Sequence, residues 1–157
     1  MRVTEAPKSW YGEGNSYVFL AGGIVGCPDW QSVVIDGLSL LPDSVMVLNP
    51  RRKNFPMGDE YAGRQQINWE FDALSHCDMM TMWFCAETIQ PICMYELGRY
   101  VTRSQMGLRP EKICLGVDPG YERRFDVYNQ MDLLDHSINI SETLEDHIDT
   151  ILLTMTG

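Results

Sequence analysis

The run Met79-Met80-Thr81-Met82-Trp83-Phe84 constrains this chain more than any other segment. It lacks the polar alternation of a strand with one wet face. A short apolar run of this kind suits a strand covered on both sides, as in parallel sheets whose crossover helices cover both faces. After a short loop comes Pro91, a good first helical residue, and a helix is predicted from there to about Gln105. The strand-then-helix order recurs along the chain. Tyr17 to Ala21 reads as a buried first strand followed by Gly22-Gly23. Asp29 can cap a helix running to about Leu41. Val45 to Leu48 is a second strand, and Asn49-Pro50-Arg51-Arg52 opens a polar loop through about Gly63. A helix follows from about Arg64 to His76, with Ile67, Phe71 and Leu74 as its apolar face.

Lys112 to Val117 is the fourth strand. Glu122 to Leu134 is predicted as a helix and Ser137 to Ile140 as an edge-like fifth strand. A final amphipathic helix is predicted to start at Ser141, with Leu144, Ile148, Ile151 and Leu152 on its apolar side. Five alternations predict a three-layer α/β domain with a mainly parallel, five-stranded sheet over residues 17–157. Residues 1–16, with Pro7, Gly12 and Gly14, are expected to form a loose leader.

Composition narrows the function classes. The 157 residues fit one domain, and the formal net charge is -10. Long nucleic acid is not an expected partner, because phosphate neutralisation needs a clustered basic surface. Arg51-Arg52-Lys53 and Arg123-Arg124 are short clusters that could hold one phosphate at most. No apolar run reaches the roughly 18 residues of a membrane span, and no signal peptide is apparent. The expected location is the cytoplasm. Cys27, Cys77, Cys85, Cys93 and Cys114 form no C-x-x-C pair, so no zinc site, metal or cofactor is expected. They read as small core residues in a reducing compartment. His76, His136 and His147 are isolated and read as structural.

The chemistry centres on Glu96, in the early turns of the helix that follows the apolar strand. Ligands of open α/β sheets gather outside the carboxyl ends of the strands. Glu70, on the preceding helix, can reach the same crevice. Two such carboxylates suggest a nucleophile with an acidic helper, which is glycosyl-transfer chemistry. Gly22 and Gly23 allow a backbone to approach a ligand closely. Asn49 and Arg51 follow the second strand and border the predicted crevice, where they could hold a base edge, a sugar hydroxyl or a 5′-phosphate. Phe84, at its strand's end, is a candidate for stacking on a base. Trp30 and Trp69 are also candidate stacking partners or packing aromatics, whereas Trp83, mid-strand, reads as core.

Residues 18–24 (VFLAGGI), the NPRR at 49–52, the stretch from Glu70 to Gly98 with its P-I-C-M-Y-E-L-G, and Arg123 to Gln130 together resemble the nucleoside 2-deoxyribosyltransferase superfamily, in its 2-deoxyribosyltransferase-like branch. The resemblance covers most of residues 17–130. It implies a flavodoxin-like sheet and a homodimer or higher homo-oligomer with active sites near subunit contacts. It matches Glu96 to the family's nucleophile and Glu70 to an upstream acid that is usually Asp, with Asp72 a nearby competitor on another helix face. A loop Asp that helps recognise the base is unmatched; Gln90, or Glu87, lies near its place. Val18 stands where a tyrosine is usual. The implied substrates are a small nucleoside or nucleotide and a free nucleobase. The expected activity is base exchange on 2′-deoxynucleosides, through a glutamyl-deoxyribosyl intermediate. The alternatives are a nucleoside or 5′-nucleotide N-glycosidase of the same mechanism, and a nucleotide-binding module without catalysis. A flavin protein is a weaker reading, since the first loop lacks a Ser/Thr-rich phosphate cradle.

Overall fold

A computed structural model describes residues 1–135 and 137–157; His136 lies outside the described residues. Six strands form one parallel sheet in the order β1-β3-β2-β4-β5-β6. They are β1 (Arg2–Glu5), β2 (Ser16–Gly22), β3 (Val45–Asn49), β4 (Met79–Phe84), β5 (Lys112–Val117) and β6 (Ile140–Ser141). Five helices connect them: α1 (Trp30–Gly37), α2 (Glu60–His76), α3 (Pro91–Gln105), α4 (Arg124–Leu134) and α5 (Leu144–Thr156). From β2 onward the strand order is that of a flavodoxin-like sandwich. Chain progression reverses across β2, which places a switch point between the carboxyl ends of β2 and β4.

Both sheet faces are covered, as the apolar β4 run demands. On one face Phe19, Met80, Met82 and Phe84 meet Trp69, Ala73 and Leu74 of α2 and Leu97 and Tyr100 of α3. On the other, Val18, Leu20, Met79 and Trp83 meet Trp30 and Val34 of α1 and Ile151 of α5. His147 of α5 is fully buried there and shares a 2.6 Å hydrogen bond with Thr81 Oγ1. Burial pushes its pKa down to about 4, so it stays neutral in the core.

The sixth strand corrects the expected leader. Residues 2–5 pair with residues 46–49 of β3, and Ala6 and Trp10 behind them are buried. Only Thr4 of β1 is itself buried. A short edge strand that ends in Arg and Glu has no apolar run to announce it. The α2 helix starts earlier than expected because Asp59 caps it, accepting from the Tyr61 and Ala62 backbone nitrogens. Ser141 lies in β6, and Thr143 caps α5 instead. The fifth crossover strand spans residues 140–141 only. On α2 the apolar positions divide: Leu74 is core, whereas Ile67 and Phe71 are 66% and 51% exposed. Among the described residues, no helix is long and apolar enough to cross a membrane.

Gly22 ends β2 at φ 143°, and a Cβ there would overlap the Trp83 carbonyl and sit 2.7 Å from the Trp30 ring. Neither neighbour can move freely, since one is strand backbone and the other a fully buried indole. Gly22→Ala is expected to cost about 3 kcal/mol or more, read as a lowered urea midpoint at unchanged m-value. A midpoint within error of wild type would show that the turn tolerates a side chain.

Candidate active site

A cavity of about 660 Å³ opens at the β2/β4 switch point, between α2 and α3. Gly22, Gly23, Glu70, Gln90 and Glu96 all line it. The glycine turn forms one wall. A Cβ on Gly23 would overlap Cys27 Sγ and lie 2.7 Å from Gln90 Oε1, so backbone alone fits there.

Gln90 organises the turn between β4 and α3. It takes a left-handed conformation, φ 52°, at the N-cap of α3. Its buried amide donates to the Cys85 carbonyl at 2.8 Å and the Thr88 carbonyl at 2.9 Å. Its Oε1 accepts from Cys85 N at 3.4 Å. These bonds hold a conformation that a residue before proline rarely adopts, and they set where α3 begins. Glu96 follows in the second turn of α3, half-buried, with its carboxyl in the cavity.

Glu70 reaches the same cavity from α2. Gln66, one turn earlier, donates to Glu70 Oε1 at 2.8 Å. Burial raises the pKa of Glu70, and this hydrogen bond lowers it in part. Glu96 is pushed up to about 7, first by burial and then by the nearby Glu70, with Arg99 pulling the other way. The two carboxyls are close enough that charge on Glu70 disfavours charge on Glu96. Elevated carboxyls in a cleft are a mark of acid–base sites.

Three expected ligand residues lie elsewhere. Asn49 is buried and turns inward, with Oδ1 accepting from Arg51 N at 3.0 Å. Arg51 is occupied by its own scaffold: it donates to Gln31 Oε1 at 2.7 Å and the Pro28 carbonyl at 2.8 Å, and pairs with Asp29 at 3.3 Å. It braces the glycine loop against the loop after β3, and only Pro50 of that loop reaches the cavity. Phe84 is fully buried against Tyr121, so its ring is core. Glu87 is exposed and does not line the cavity. Val18 faces the α1/α5 layer. Asp72 is engaged by Tyr11 and by His76. The second basic cluster is also paired, Arg123 with Asp126 and Arg124 with Glu142.

The cavity adds residues that sequence reasoning did not single out for the site. Phe71 forms part of the wall, and the Arg99 guanidinium stacks on its ring at 4.6 Å while also facing the cavity. The available signal was helical spacing: Gln66 and Glu70 are four apart on α2, as are Ile67 and Phe71. Four cysteines are buried; Cys93 lines the cavity, and burial with the nearby carboxylates pushes its thiol up to about 12.

The arrangement offers two carboxyls of elevated pKa, an apolar wall and a backbone approach, which together suit attack on a carbon bearing a neutral heterocycle. No curated protein matches the chain. The sequence model for nucleoside 2-deoxyribosyltransferase-like proteins matches residues 15–108, a stretch that includes every residue lining the cavity. The chain belongs to the nucleoside 2-deoxyribosyltransferase-like family.

Proposed function

We propose that the protein exchanges the base of a 2′-deoxynucleoside, with Glu96 as covalent nucleophile and Glu70 as its acid–base partner. The observation that carries this reading is that both carboxyls line one apolar cavity beside the glycine turn. In the first step a Glu96 carboxylate oxygen bonds to C1′ as the C1′–N bond breaks. The bonding electron pair leaves with the base nitrogen, which takes a proton from Glu70. The positive charge developing at C1′ faces the Glu96 carboxylate. In the second step the incoming base nitrogen attacks C1′ from the opposite face. The ester electron pair returns to Glu96, and the base N–H proton goes to Glu70. Two inversions give net retention.

Incubation with deoxyadenosine is expected to add one deoxyribosyl group to the peptide containing Glu96, seen by mass spectrometry. A second free base should then yield a new nucleoside. Free base plus free sugar as the sole products would assign the hydrolytic alternative. Neither adduct nor released base would leave a binding module.

The cavity mouth is rimmed by Ile67, Ile92 and Tyr95, each about two-thirds exposed. Apolar groups gathered at one opening commonly mark an interface, and we infer that a second copy of the chain covers them. Sedimentation is expected to give a dimer or larger, and Ile92→Glu to weaken it; a wild-type monomer at assay concentrations would overturn this.

A further inference from the structure

Gln66 sits behind Glu70 and does not line the cavity. Its amide nitrogen donates to the Pro50 carbonyl at 2.7 Å and to Glu70 Oε1 at 2.8 Å, which uses both of its protons. The Pro50 contact fixes the orientation of the amide. Turned over, the Gln66 oxygen would meet the Pro50 carbonyl, acceptor against acceptor. Glu70 Oε1 therefore accepts; a carbonyl oxygen is the better acceptor, which favours a proton on Oε2. That oxygen has no hydrogen-bond partner among the described residues.

We propose that Gln66 is a positioning residue that biases the mobile proton of Glu70 toward Oε2, the oxygen left free for the leaving base. This rests on the reading of Glu70 as the acid partner of Glu96. The Gln66 Oε1 is itself buried without a partner among the described residues, a cost of about 1–3 kcal/mol. An apolar side chain of the same shape avoids that cost but strands the Pro50 carbonyl and Glu70 Oε1, so the effect on Glu70, not stability, separates a positioning role from a purely structural one. The groups facing Glu70 from α3 are Glu96 and Cys93, with Arg99 beside Glu96. From β2 the wall presents Phe19 and Ala21, which carry no charge. Gln66 is thus the neutral donor that acts on Glu70, and its bond favours the ionised form.

Gln66→Met keeps length and removes both N–H groups. The expected result is a kcat about tenfold to a hundredfold lower, with KM for the nucleoside within about threefold, because Gln66 does not touch the cavity. The Glu70 titration, followed by carboxyl ¹³C resonances without substrate, should move upward. In a Glu70→Gln background the same change should cost no further activity. An unmoved Glu70 titration, or an equal loss in both backgrounds, would overturn the proposal. Should Gln66→Met fail to fold, Gln66→Asn withdraws the donor by one methylene and is read the same way. If the wild type forms no adduct, the glycosyl-transfer reading fails on its own, while the carboxyl titration still decides the role of Gln66.

Discussion

Glu96→Gln is expected to lose at least about 10⁴-fold in turnover and all of the covalent adduct, yet to be more stable than wild type at pH 8. Loss of a covalent nucleophile removes the reaction path itself, so what remains is binding and orientation. The stability gain follows from linkage. In the folded protein Glu96 has its pKa raised to about 7, mainly by burial and then by Glu70. In the unfolded chain it returns to the ordinary carboxylate value. Between the two, the folded state binds the extra proton, so stability falls as pH rises through that window. Above pH 7 the full cost of the buried charge is present. Below the ordinary carboxylate range both states are protonated and the cost is gone. The glutamine carries no charge at any pH. Its advantage is expected to be about 1–3 kcal/mol at pH 8, or several degrees in Tm, and to vanish near pH 4. A variant no more stable than wild type at pH 8 would mean that the carboxylate is solvated in the cavity. Retained adduct formation would move the nucleophile elsewhere.

The residues that made the fold legible were those whose local signals agreed with their tertiary setting. The apolar β4 run, Pro91 at the start of α3 and Asp29 at the cap of α1 stand where their chemistry placed them. The β1 strand was not legible, because its pairing is supplied by β3 and its own sequence, Arg-Val-Thr-Glu, is that of an exposed edge. The site divides in the same way. Glu70, Glu96, Gly22, Gly23 and Gln90 converge because strand order and helix phase bring them together, and both are periodic properties of sequence. Asn49, Arg51 and Phe84 also lie at carboxyl ends of strands, yet they turn elsewhere. Which way each side chain points depends on partners distant in sequence: Gln31 and Pro28 for Arg51, Tyr121 for Phe84. On α2, Ile67 and Phe71 satisfy the helical period of a core face and instead form the cavity mouth, because Trp69 and Ala73 hold the core side. Periodicity reports that a face is apolar and says nothing of what covers it.

Glu70→Gln is expected to cost about 10²–10⁴-fold in kcat with deoxyadenosine. With a deoxyriboside whose leaving group departs as a stable anion, such as 4-nitrophenolate, little loss is expected. Glutamine preserves the shape of the side chain, and its oxygen still accepts the Gln66 N–H, so neither packing nor the α2 turn is disturbed. The proton for the departing base is what disappears. A purine leaves with an electron pair that must be protonated, whereas a nitrophenolate needs no acid, so the contrast between substrates isolates proton donation from positioning. The pH profile carries a second signature. Burial is the main cause of the raised Glu96 pKa and an ionised Glu70 only the second; in the working form Glu70 is protonated and adds no charge. The acid limb of kcat/KM, set by ionisation of the nucleophile, should therefore stay in place, while the alkaline limb set by the Glu70 proton should disappear. Equal losses on both leaving groups, with the alkaline limb retained, would show that Glu70 merely orients Glu96. In that case the proton would have to reach the base from water, through the one cavity that both carboxyls share.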